Sequence, residues 1–111
     1  MGRIFATMDK RTFIIAKAKE YKDLVNRTLP VSIDQYWLYG SYANGKQREH
    51  SDIDIAMIVS HIDDDTYWES LPLLWKLTYQ VDDRIEPVLI ARDTDYAGFL
   101  NEIERTGIQI T

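Results

Sequence analysis

The sequence contains no cysteine, which excludes a disulfide framework, a thiolate zinc site and a cysteine nucleophile. No apolar run approaches the roughly 20 residues needed to span a bilayer, and the start, MGRIFATMDKR, lacks a signal-peptide core. A soluble, cytoplasmic protein without membrane association is therefore expected. There is no internal repeat, low-complexity run or linker, and 111 residues leave room for one domain, 1–111, and no second. What is present is an ordinary folding composition. Hydrophobic residues make up 45% and aromatic residues 12%, too rich for a disordered tail.

The net charge of −5 hides an asymmetry. Residues 1–50 carry nine Lys/Arg against five Asp/Glu, whereas residues 51–111 carry four against thirteen. A basic half beside an acidic half can hold phosphates on one side and cations on the other, although two differently solvated faces would give the same counts.

Periodicity divides the chain into alternating elements. From about Asp9 to Thr28, Phe13, Ile14, Ala16, Leu24 and Val25 recur at helical spacing, with lysines and arginines on the other face, and Pro30 ends the run. Gln35–Tyr39 is short and aromatic, as a strand would be, and Ile53–Val59 is apolar enough to be a central strand. A capped helix is expected from Asp63–Thr66 to Gln80, with Pro72 arguing against one continuous helix. A third strand is expected over Arg84–Ile90, either near a sheet edge or with a break in pairing at Pro87, which cannot donate to a ladder. Asp93 or Thr94 is expected to cap a last helix that runs to about Arg105 and is ended by Gly107, and Ile108–Ile110 suits a short edge strand. The fold class expected is α/β (α+β): a small mixed sheet covered by helices.

One stretch carries chemistry. Leu38-Tyr39-Gly40-Ser41 ends a strand, ten residues intervene, and Asp52-Ile53-Asp54 opens the next. Gly40, with no Cβ, lets the backbone approach a bulky anion. Ser41 adds a hydroxyl and an N–H at the start of a helical turn, where donors converge on phosphate. Asp52 and Asp54, two apart on a strand, leave one face about 6–7 Å apart. Carboxylates so close repel unless a cation sits between them, and Mg²⁺ accepts one or two carboxylates while taking its other oxygens from water and phosphate. Glu86, a lone acid in an apolar strand, is the best candidate for a third ligand if two ions are held, with Asp82 and Asp83 as rivals in the preceding turn. An EF-hand reading fails for want of the loop glycine and distal glutamate.

This pattern resembles the signature of the polymerase-β-like nucleotidyltransferases, and the short chain resembles their minimal, antitoxin-type branch, often partnered by a helical HEPN-domain toxin. Arg84-Ile85-Glu86-Pro87 resembles the segment bearing the family's third carboxylate, and residues 102–110 resemble its C-terminal ending. The resemblance implies a palm-like fold and Mg²⁺-dependent transfer of a nucleotide from an NTP, ATP above all, to an acceptor hydroxyl, plausibly a toxin tyrosine that would receive AMP. It implies two Mg²⁺ ions held by Asp52, Asp54 and Glu86, with Glu86 helping to deprotonate the acceptor. Gly40, Ser41, Lys46 and Arg48 would hold the nucleotide's phosphates. Asn44 stands where relatives often have a basic residue, so a phosphate contact would be weakened or taken over by Lys46 or Arg48. A protein partner and a possible homo-oligomer are expected, and nucleic acid is not.

Other readings stand beside this one. A non-catalytic module could neutralise its partner by contact, with Tyr36, Trp37, Tyr67, Trp68 and Trp75 as interface aromatics, although core packing is the commoner fate of such residues. A sugar-nucleotide transferase with its own Asp-x-Asp would need a far longer chain. His50 suits a solvated loop, and His61 has no evident metal partners.

Overall fold

The computed structural model describes residues 10–45 and 51–111. The elements run α1 (Lys10–Thr28), β1 (Gln35–Tyr39), α2 (Ser41–Asn44), β2 (Ile53–Val59), α3 (Asp64–Val81), β3 (Ile85–Ala91), α4 (Phe99–Thr106) and β4 (Ile108–Ile110), with a 3₁₀ turn at Arg92–Thr94. The four strands form one mixed sheet in the order β3-β2-β1-β4. β1 is antiparallel to both β2 and β4, and β2 is parallel to β3. The mixed sheet and its helices are the α+β architecture expected of the sequence.

β2 is central, and its alternation explains the two layers. Ile53, Ile55, Met57 and Val59 face one side and pack with Ile14, Ala18, Tyr21 and Val25 of α1 and Leu74 and Leu77 of α3. Tyr21 donates its hydroxyl to the Leu74 carbonyl at 2.7 Å, satisfying a buried polar group between the two helices. On the other side Ala56 and Ile58 meet Leu100 and Ile103 of α4, with Trp37, Tyr39 and Ile90 at their margin. This second layer is thin. The short α4 covers only part of the face, and Asp54, at the start of β2, lies on that side with Glu86 opposite it on β3.

Pro87 lies in β3, an edge strand, where the residue's missing N–H costs least. Two expectations are corrected. Pro72 does not interrupt its helix, because α3 continues from Asp64 to Val81. The proline removes only the donor for the Trp68 carbonyl, and it lies on the exposed side, where water can substitute. Leu74 and Leu77 beyond it hold the second half of the helix to the core. Neither Asp93 nor Thr94 caps α4. Arg92–Thr94 closes a 3₁₀ turn, and Asp95 accepts hydrogen bonds from the amides of Phe99 (3.2 Å) and Leu100 (2.8 Å), with Gly98 turning at φ 71° in between. The cap expected within Asp63–Thr66 falls on Asp63, which accepts from the Thr66 amide at 2.8 Å.

Candidate active site

The turn that leaves β1 is built on a glycine that any other residue would strain. Gly40 has φ 73° and ψ −149°, a conformation costly for any residue with a Cβ. A Cβ there would overlap Asp54 Oδ2 and stand 3.2 Å from its Cγ. Gly40 therefore lets the turn lie against the Asp54 carboxylate. Its carbonyl accepts from the amides of Ala43 (3.1 Å) and Asn44 (3.2 Å), forming the single turn of α2, with Ser41 at its start.

The turn is clamped from elsewhere in the chain. Arg11 of α1 donates to the carbonyls of Ala43 (Nη2, 2.7 Å) and Tyr42 (Nε, 3.3 Å). The Tyr42 ring is fully buried, and its hydroxyl accepts from Arg84 Nη1 at 3.4 Å. Arg84 in turn grips Asp82 through Nη2 (2.8 Å) and Nε (3.0 Å). Those bonds hold the Asp82 carboxyl below the usual range, so Asp82 is committed to its arginine and does not rival Glu86. Arg11, Tyr42 and Arg84 were not singled out from sequence as supports. No local pattern marks them, because Arg11 and Tyr42 meet across 31 residues of chain and Tyr42 and Arg84 across 42.

Asp52 immediately precedes β2 and is exposed, while Asp54 is half-buried within it. Glu86 is exposed on the edge strand, directly opposite Asp54 in the parallel register. The three acids interact. Burial, then the charges of Glu86 and Asp52, raise the Asp54 carboxyl to about 6. Desolvation, the Asp52 charge and hydrogen bonding with the Asp52 side chain raise the Glu86 carboxyl above its ordinary range. Tyr39, opposite Asp54 on β1, feels the same cluster. Burial and the charges of Asp54 and Glu86 lift its phenol to about 12. Phe99 of α4 stacks edge-on against Tyr39, with centroids 5.7 Å apart, and walls the cluster on the α4 side.

The structure thus brings together Gly40, Ser41, Asp52, Asp54 and Glu86. Among the described residues, no three acidic or histidine side chains already surround one point closely enough to ligate an ion. The arrangement is an Asp52–Glu86 pair with Asp54 beside it. Its chemistry fits a divalent cation nonetheless: three carboxylates that make one another harder to ionise are relieved by an added positive charge. Lys46, Arg48 and His50 lie outside the described residues. His61 contacts Asp93 at 2.6 Å, an exposed pair at the far end of β2.

Among the described residues, no helix is long and apolar enough to cross a membrane. The family profile described as Polymerase beta, Nucleotidyltransferase matches residues 18–111. A Methanocaldococcus jannaschii protein with the provisional name protein adenylyltransferase MJ0141 is 29% identical over 102 residues, spanning 87% of this chain and 98% of its own. The fold is similar to that of a Sulfolobus solfataricus protein, provisionally named a nucleotidyltransferase, with a TM-score of 0.65 and 16% identity over 89% of this chain and 80% of the other. It is also similar to a chain from the Shewanella oneidensis complex of a tri-AMPylated HEPN toxin with an MNT antitoxin, with a TM-score of 0.57 and 21% identity over 88% of this chain and 71% of that one. With its profile match covering most of its length, the chain belongs to the polymerase β nucleotidyltransferase family.

Proposed function

We propose that the chain, as one catalytic domain over 1–111, transfers AMP from ATP to a hydroxyl on a partner protein, and that it is an antitoxin-type member of its family whose partner is a HEPN-type toxin. The observation that carries this reading is the convergence of Asp52, Asp54 and Glu86 beside the Gly40-Ser41 turn, with the Asp54 carboxyl raised to about 6 by burial and then by the charges of Glu86 and Asp52. The relative named as a protein adenylyltransferase supports the nucleotide and the class of acceptor. The neighbour that pairs an AMPylated HEPN toxin with an MNT antitoxin supports the partner.

Asp52 and Asp54 would hold one Mg²⁺ ion, and Glu86 would contribute to a second. When bound, the ions supply positive charge for the triphosphate and the departing pyrophosphate. The chain's own groups do the rest. The Gly40 turn would let backbone amides and the Ser41 hydroxyl approach the β- and γ-phosphates, and Lys46 and Arg48 would supply positive charge, as the family resemblance implies. Glu86, exposed and raised above the ordinary carboxylate range, offers a site for the acceptor's hydroxyl proton. Because Asp52 and Glu86 are exposed, a second protein can present its hydroxyl directly to the carboxylates.

The test is label transfer. Incubated with α-³²P-labelled ATP, Mg²⁺ and its cognate HEPN-type partner, the wild-type chain should label the partner on tyrosine, and Asp54→Asn should not. A partner that stays unlabelled, yet is still neutralised by both forms of the chain, would establish neutralisation by contact instead.

A further inference from the structure

The helix on the opposite layer carries aromatic residues that the catalytic reading does not use. Of the aromatics first weighed as an interface, Tyr36 is buried and Trp37 and Tyr67 are half-buried, but Trp68 is 67% exposed and Trp75 46%. They are not core residues, contrary to the usual fate of tryptophan. Tyr79, 77% exposed, continues the row. Trp68, Pro72, Trp75 and Tyr79 follow at intervals of four, three and four residues, which places them on a single stripe of α3. The buried residues of α3, namely Ser70, Leu74, Leu77 and Thr78, lie on its other side, so the stripe faces outward.

We propose that this stripe is the interface through which two copies of the chain associate, with their α3 helices antiparallel about a two-fold axis. The register is self-complementary. With the axis midway between Pro72 and Trp75, Trp68 meets Tyr79 of the second copy and Pro72 meets its Trp75. The flanking charges agree with the same register. Glu69 and Lys76 each follow a tryptophan of the stripe, on the same flank, and both are exposed. In the antiparallel pair Glu69 of each copy lies beside Lys76 of the other, as charges flanking a coiled-coil seam do. Among the described residues neither makes an ion pair within its own chain. The acidic first turn, with Asp64 and Asp65, is carried towards Asp82 and Asp83 at the other helix's C-terminal end, where Arg84 already pairs with Asp82 at 2.8 Å; this like-charge approach opposes the association and keeps it weak.

The same acids argue against a membrane surface or a nucleic acid as the occupant, since both are anionic. Three aromatic side chains, each able to cover roughly 150–250 Å², give a contact at the small end of specific interfaces, so the dimer is reversible. Nothing in this inference depends on the nucleotidyl-transfer reading. The stripe and the carboxylates lie on different layers of the molecule.

Sedimentation velocity on the full chain over a wide concentration range tests the proposal. A concentration-dependent monomer–dimer equilibrium is expected, with Trp68→Ser and Trp75→Ser each weakening it by about tenfold or more. Glu69→Lys or Lys76→Glu alone should weaken it, and the two reversals together should restore it, because they recreate the cross-pair with its signs exchanged. All four positions are exposed, so at concentrations where the wild type is monomeric the variants should keep its far-ultraviolet circular dichroism and melting temperature. If a tryptophan variant fails to fold, the charge-reversal pair decides alone. A chain that is monomeric at every concentration, a dimer indifferent to these substitutions, or a double reversal that fails to restore association overturns the proposal. So does a stripe that only a different protein covers.

Discussion

Gly40 and Asp54 are fitted to each other: the space a Cβ on Gly40 would need is filled by Asp54 Oδ2. A single methyl group therefore perturbs both the turn and the carboxylate. Gly40→Ala combines a strained positive φ with that overlap and should cost about 1–3 kcal/mol of stability. The melting temperature should fall by several degrees, and nucleotide binding should fall by more than stability alone explains, because Asp54 has to move. Thermal melting and ATP titration of the same variant would check both.

The acidic cluster makes a prediction whose sign is fixed. The Asp54 carboxyl is raised in the folded chain, to about 6 from an ordinary value near 4. The folded state thus binds this proton more tightly than the unfolded state does. The stabilisation is fully present below the unfolded value and is lost as pH rises through about 6. In EDTA, Asp54→Asn should remove this loss, so that the variant melts higher than wild type at pH 7.5 and the difference shrinks towards pH 4. Glu86→Gln should act in the same direction. Melting curves recorded against pH would reveal an opposite slope if the cluster were not repulsive.

Binding should reverse that penalty. With Mg²⁺ and a triphosphate at 100 times its dissociation constant, the folded chain gains about 2.7 kcal/mol, readily visible in a protein this small. The shift should require both components together, and Asp52→Asn or Asp54→Asn should abolish it. Equal shifts in wild type and variants would place the binding elsewhere.

At the other end of the sheet the prediction is structural. Asp95 holds the first amides of α4, so Asp95→Ala should cost about 1 kcal/mol, the usual cost of losing a cap. Asp93→Ala, two residues earlier, should leave the helix unaffected. Hydrogen exchange at Phe99 and Leu100 would distinguish the two.

Much of the fold was legible because it is encoded locally. The apolar run of β2 marked a central strand, Pro87 offered an edge strand as one of two choices, and the Asp63–Thr66 stretch marked the start of α3, where Asp63 is the cap. The Asp-x-Asp and Gly-Ser spacing also singled out residues that the fold places side by side. What sequence did not give depends on distant contacts. Pro72 is tolerated because Leu74 and Leu77 pack beyond it, and nothing near residue 72 announces that. The cap of α4 falls on Asp95 because the chain first closes a 3₁₀ turn. Arg11 reaches the turn carbonyls from a helix 31 residues away, and Arg84 takes Asp82 out of contention through a pairing that only the folded turn creates. The exposure of Trp68 and Trp75 ran against their composition, since a tryptophan's size speaks for burial and only packing decides it.

The central claim is that Asp52, Asp54 and Glu86 together hold divalent ions against a triphosphate cradled at Gly40. Anomalous diffraction from crystals grown with Mn²⁺ and a non-hydrolysable ATP analogue tests it most directly. The account predicts manganese peaks between these three carboxylates, with the β- and γ-phosphates at the Gly40-Ser41 turn. Bound nucleotide with manganese held by other residues, or Glu86 turned away from ions that Asp52 and Asp54 hold, would contradict it.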